Sequence, residues 1–326
     1  MGSPLTENIA ENSKPNLEVF SLVLQELAKN DKDILAVTSD SRGSGKLVPF
    51  GIKYPKQIIE IGIAEQALVG VAAGLASTGK KTFAVSPACF LTARALEQIK
   101  NDVAYSDNPV KLIGISAGVS YGALGSTHHS LHDFAVLRAI HNLIIVAPAD
   151  NFETAEAIKQ ASSMNQPFYI RFGKKAMPLL TDDSENKFEF GKGRTITRGK
   201  DLAIIATGET VYLALQAAKK LNKLYQIEIT VVSMHTIKPL DYSLLKKIAD
   251  DTDAIITVEE HSVFGGLGEA CASYLLENKY QKPFKIMGIP DEYTVTGSQT
   301  EILNHYGISE DGLVDIALKL IEQNRN

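Results

Sequence analysis

A handful of residues in this chain have the type and setting to do chemistry, and Glu65 stands first among them. A short apolar run, Ile58, Ile59 and Ile61, stops at Gly62, and a helical pattern of small and apolar residues (Ala64, Ala67, Leu68, Val71, Ala72, Leu75) starts at once and runs to Gly79. Glu65 therefore falls in the first turn of a mostly apolar helix, where free backbone N–H groups favour a carboxylate. Burial would raise its pKa and the helix N-terminus would lower it; the plainer reading is a cap or a neighbour's ion-pair partner. His128 and His129 sit in a loop bounded by Gly118, Gly122 and Gly125. Adjacent histidines point in different directions and make a poor metal pair without further ligands, and taken alone the pair reads as structural or surface. Asp40, Ser41 and Arg42 end a strand-like run, and the RGSGK that begins at Arg42 lacks the spacing of a phosphate loop. It reads as a solvated turn before it reads as a phosphate site.

The elements that must position these groups alternate. A polar stretch over residues 1–15 is expected to be mobile. Leu17, Phe20, Leu24 and Leu27 repeat at helical spacing, and 34–40, 81–87, 110–116, 143–148 and 168–171 read as buried strands separated by helices, one of them over 91–103. Asp150 is a candidate N-cap, with Glu153 at the capping-box position. Ligands in such sheets bind beyond the C-terminal ends of the strands, where the run 34–40 delivers Asp40, Ser41 and Arg42. The stretch 173–199 carries Gly173, Pro178, a polar run at 181–187 and Gly191, Gly193 and Gly199, and reads as a linker with a short edge hairpin at 188–196. Strand-like runs at 201–207, 227–233, 254–260 and 284–290 then alternate with helices to a terminal one near 309–323. The expected fold is α/β, with two open α/β domains over 16–172 and 200–326, the first mostly parallel and the second smaller.

Composition narrows the function classes. The 326 residues allow two domains with real cores, 44% of them are apolar, and a net charge of −5 with no long basic block argues against nucleic acid as partner. Two widely separated cysteines, Cys89 and Cys271, suggest neither a disulfide framework nor a metal cluster and fit a reducing compartment. No apolar run reaches membrane-spanning length and residues 1–16 lack a signal-peptide core, so a cytoplasmic protein is expected.

The run GIAEQALVGVAAGLA at 62–76 resembles the pyrimidine-binding motif of transketolases and 1-deoxyxylulose-5-phosphate synthases, and the likeness extends through THH at 127–129, PAD at 148–150, the strand ending at Arg171 and EEHSVFGGLGEA at 259–270. The resemblance implies thiamine diphosphate as cofactor, with Glu65 hydrogen-bonding N1′ of its aminopyrimidine and the aromatic of SPACF, Phe90, stacking on that ring. Arg94 falls one residue beyond the family's arginine position, which leaves Cys89 as a competitor for the stacking place. It further implies that His128 and His129 contact substrate oxygens, acting in proton transfer, and that Arg171 binds substrate phosphate; His261 reads as a domain-interface element outside catalysis. Leu124 stands where transketolases proper carry an aspartate that binds a donor hydroxyl. The GDG motif through which the family holds the diphosphate and Mg²⁺ does not occur in the sequence. The resemblance therefore implies the C-terminal subunit of a split transketolase, which transfers a two-carbon ketol unit between sugar phosphates. An N-terminal subunit with the GDG motif would hold Mg²⁺, in an α2β2 heterotetramer. A 2-oxo acid dehydrogenase β subunit, a deoxyxylulose phosphate synthase-like fragment and a non-catalytic scaffold are the alternatives.

Overall fold

The computed structural model describes residues 13–180 and 187–325. It is an α/β structure with two large sheets. The first runs from β1 (Lys14–Pro15) and α1 (Asn16–Asn30) through β2 (Ile34–Thr38), α2 (Val48–Lys53), β3 (Ile58–Glu60), α3 (Glu65–Ser77), β4 (Lys81–Pro87), α4 (Ala88–Arg94), β5 (Lys111–Ile115), α5 (Asp133–Arg138), β6 (Ile144–Val146), α6 (Asn151–Ser163) and β7 (Phe168–Phe172). Strands β2, β5 and β7 are buried from end to end, as expected of parallel strands covered on both faces. α1 buries Leu17, Phe20 and Leu24. α3 presses Leu68, Val69, Ala72, Ala73 and Ala76 into the core, and Gly79 turns the chain out of it with φ +89°.

The second part holds β8 (Ala176–Met177), β9 (Arg194–Thr197), β10 (Leu202–Ala206), α7 (Thr210–Tyr225), β11 (Ile229–Ser233), β12 (Thr236–Lys238), α8 (Tyr242–Asp251), β13 (Ile255–Ser262), α9 (Leu267–Glu277), β14 (Phe284–Ile289), α10 (Gln299–His305) and α11 (Glu310–Arg325). Its five-stranded sheet has the order β14-β13-β10-β11-β9, parallel except for β9. The first sheet has the order β12-β6-β7-β5-β4-β2-β3. It gains two strands over the five expected: β3, too short to register, and β12, which comes from the second part of the chain and pairs antiparallel with β6. Lys238 Nζ, at the end of β12, donates to the carbonyls of Arg138 and Ile140.

Three boundaries differ from expectation. Of the stretch expected to be mobile, residues 1–12 lie outside the described residues, whereas Lys14 and Pro15 pair with Met177 and Ala176. The expected linker 173–199 carries β8 and β9, and the latter is an antiparallel edge strand on β11 and not one arm of a hairpin; residues 181–186 of the polar run are outside the described set. The helix expected over 91–103 begins at Ala88, breaks at Ala95, and resumes as a short turn and a π-helical stretch, Ile99–Tyr105. Asp150 caps α6 by accepting the Glu153 N–H at 2.8 Å, but the Glu153 side chain bonds the Ala149 N–H and Arg194 and not its cap residue. No helix among the described residues is long and apolar enough to cross a membrane.

Candidate active site

The C-terminal ends of β2, β3, β4, β5 and β7 open on one edge of the first sheet, and each delivers a loop or helix start there. After β2, Asp40 takes φ +54° and its N–H donates to Glu60 Oε1 at 2.6 Å, while Glu60 Oε2 lies 3.3 Å from Arg42 Nε. Arg42 is thus tied to the neighbouring strand end.

Glu65 is the first residue of α3, behind an Ala64 N-cap that offers no side-chain cap. Its side chain is only 4% exposed, and both carboxylate oxygens accept from Arg94 Nη1 at 3.0 Å. Phe90 and Arg94 are one helical turn apart on α4 and share a face, so the Arg94 guanidinium lies over the Phe90 ring, 4.2 Å from its centroid. Because α4 starts at the strand end, Phe90 is a helical residue and not part of a turn. Cys89, beside it, is buried, and burial pushes its thiol up to about 11. Ile63, Ala64, Gln66 and Ala67 complete an open depression of about 570 Å³ in front of Glu65 and Arg94.

The row continues across the histidine loop. His128, half-buried, stands edge-on to Phe90 at 5.2 Å and to Tyr121 at 5.5 Å, and its Nδ1 is 3.0 Å from the Thr127 hydroxyl. Lys174 Nζ lies 3.7 Å above the Tyr121 ring. Glu65, Arg94, Phe90, His128, Tyr121 and Lys174 thus form a continuous wall. Tyr121 and Lys174 are not legible as site residues in the sequence; the one available signal is a lysine just beyond the end of β7.

Two expected substrate ligands are turned inward. His129 is buried, with Nδ1 2.6 Å from the Thr294 hydroxyl and Nε2 3.0 Å from the Gly122 carbonyl. A carbonyl only accepts, so Nε2 carries the proton and Nδ1 takes the Thr294 hydrogen; burial lowers the pKa and favours this neutral form. With both nitrogens used, His129 pins the loop to the second part of the chain. Arg171 is 6% exposed. Its Nη1 donates to Asp133 at 2.8 and 3.1 Å, its Nη2 to the Glu260 carbonyl at 2.9 Å, and its guanidinium lies 3.9 Å over Phe134. Nη1 and Nη2 are thus engaged by a buried carboxylate and a backbone carbonyl, which sets a buried structural contact beside the phosphate role expected of Arg171. Burial pushes the Asp133 carboxyl up, but Arg171 and His261 outweigh it and hold it below the usual range. His261 belongs to the same cluster, stacked on Phe134 at 5.1 Å and held down to about 4 by burial. Among the described residues, no group of three or more His, Cys, Asp or Glu is placed to hold a metal ion.

Glu65, nearly buried in the first turn of α3, thus lies at the C-terminal edge of the first sheet, with Arg94 in contact with both its carboxylate and the Phe90 ring. Residues 14–178 match the family described as the transketolase pyrimidine binding domain, and residues 191–313 match the transketolase C-terminal domain. The chain belongs to the transketolase family, whose enzymes depend on thiamine diphosphate. It is 48% identical, over 93% of its length and 96% of the relative's, to an apulose-4-phosphate transketolase subunit from Phocaeicola vulgatus. It is 39% identical to the protein of the same description from Actinobacillus succinogenes, over 90% and 94% of the two chains. Among solved structures, a split gene transketolase described as an inactive beta4 tetramer superposes with a TM-score of 0.84 at 34% identity, covering 95% of this chain and 99% of that one.

Proposed function

We propose that the chain is the C-terminal subunit of a split transketolase, moving a two-carbon ketol unit from a phosphorylated ketose to an aldose acceptor. The carrying observation is Glu65: a carboxylate withdrawn from water at a helix N-terminus, with its oxygens directed at a flat donor stacked on Phe90. That geometry fits an aminopyrimidine, which offers the same combination of ring face and hydrogen-bonding edge. Bound thiamine diphosphate supplies the carbanion chemistry. Glu65 holds a proton at N1′ and so fixes the tautomer; Phe90 orients the ring and keeps water from it. His128, with its Nδ1 on Thr127, offers Nε2 to substrate oxygens as proton donor or acceptor. Lys174 takes the place expected of Arg171 and faces the substrate phosphate as a point charge.

The missing GDG motif supports a second polypeptide carrying the diphosphate and Mg²⁺, in an α2β2 assembly. The relatives from P. vulgatus and A. succinogenes are each described as one subunit of a transketolase, which supports the two-polypeptide form, and their apulose-4-phosphate suggests a phosphorylated ketose as donor class. Leu124, exposed on the histidine loop in place of an acidic residue, favours donors lacking the hydroxyl that an aspartate would bind. A cytoplasmic role in carbohydrate metabolism follows from this reading. Glu65→Gln tests it: in the assembled complex, exchange of the cofactor C2 proton into deuterium, read by NMR after quenching, should slow by about 10²-fold, the scale of losing a positioned acid–base group. Exchange at the parent rate would remove Glu65 from the mechanism.

A further inference from the structure

Arg94 does to Glu65 and Phe90 what a cofactor ring would do. A nearly buried carboxylate without a partner is costly, and here one planar group satisfies it from inside the chain. A single nitrogen donates to both oxygens while the guanidinium plane covers the Phe90 ring. We infer that Arg94 is a self-ligand that occupies the aminopyrimidine's place and must swing out before a cofactor reaches Glu65. This rests on the reading of Glu65 given above.

The local structure permits the swing. Arg94 is the last residue of a seven-residue helix that breaks at Ala95, its side chain is 49% exposed, and among the described residues Glu65 is its only hydrogen-bond partner. Arg94 is half exposed and Glu65 lines the open depression, so water can replace the guanidinium at the carboxylate, and the closed arrangement is favoured without being locked. Cofactor binding then exchanges one donor to Glu65 for another, and the apparent affinity is reduced by the fraction of molecules in which Arg94 is already out. For an open fraction of about a tenth to a third, the reduction is about 3- to 10-fold.

Titration calorimetry of thiamine diphosphate with Mg²⁺ into the two-subunit complex tests this. Arg94→Ala should bind the cofactor about 3- to 10-fold more tightly than the parent. In the Glu65→Gln background the same substitution should bring no gain, because the anchor of the closed state is weakened. Arg94→Lys, which keeps the charge but not the plane that covers the Phe90 ring, should behave as Arg94→Ala. Unchanged or weaker binding in Arg94→Ala, or parental affinity in Arg94→Lys, would overturn the self-ligand. The two ideas fail separately: an unaffected C2 exchange in Glu65→Gln removes the assignment of Glu65, whereas the affinities judge Arg94.

Discussion

Replacing Arg171 with alanine separates a structural from a substrate-binding role, and the two roles predict different losses. Asp133 is fully buried and accepts from Arg171, from the Tyr169 hydroxyl at 2.7 Å and from the Phe134 N–H at 2.9 Å. Without Arg171 it keeps the two neutral donors and loses the adjacent guanidinium charge. Removing one half of a buried ion pair costs about 3–5 kcal/mol, which for 326 residues melting as one unit lowers Tm by roughly 4–8 °C. Urea denaturation followed by circular dichroism gives the loss directly. The Asp133→Asn change, destabilising alone, should cost less when made in the Arg171→Ala background, since the two residues share one interaction. Where the variant is folded, turnover of phosphorylated and unphosphorylated substrates should fall alike. A variant within about 1 kcal/mol of the parent that selectively lost phosphorylated substrates would refute the buried-pair argument.

Lys174→Ala should show the complementary behaviour: unchanged Tm, because the side chain is exposed, and a loss of about 1.5–3 kcal/mol in kcat/KM confined to phosphorylated substrates; equal losses on both substrate classes would take Lys174 out of the phosphate site. Glu259 is buried against the N-terminus of α9, accepting the N–H groups of Leu267 and Gly268, and burial lifts its carboxyl from 4.5 to about 7. The folded chain therefore keeps a proton that the unfolded chain releases above pH 4.5, and stability falls between pH 4.5 and 7 by up to about 3 kcal/mol. Glu259→Gln should lack this term, so its stability relative to the parent, measured by denaturation at about pH 4.5 and about pH 7.5, should improve at the higher pH; a constant difference would mean that Glu259 is ionised in the fold.

Much of the α/β order is legible because buried parallel strands are short continuous apolar runs and their covering helices repeat every three or four residues. ILAVT, KLIGI and LAIIA carry that signal in full. Thr236–Lys238 does not: three residues have no readable period, and their partner β6 lies far back in the chain. α10 is too short to show an apolar period, although Ser298 and Glu301 form a capping box that the S-x-x-E spacing announces. At the site, the type and turn position of Glu65 are readable, because helix phase fixes them. The inward turn of His129 and Arg171 is not. Both are decided by partners far along the chain, Thr294 and Asp133, and a polar residue near a strand end looks the same in sequence whether it faces solvent or a buried counter-charge.

β12 also limits how this polypeptide can be divided. A cut between residues 178 and 191, the interval separating the two matched family regions, would remove the strand that covers β6. The excised first half would present a bare row of unpaired backbone groups on an apolar strand, an invitation to edge-to-edge aggregation. It would also leave Asp133 and Arg171 without the Glu260 carbonyl and His261 that close over them. The chain should therefore melt as one cooperative unit, and attempts to express the pyrimidine-binding half alone should yield inclusion bodies unless residues 236–238 are supplied on a return segment.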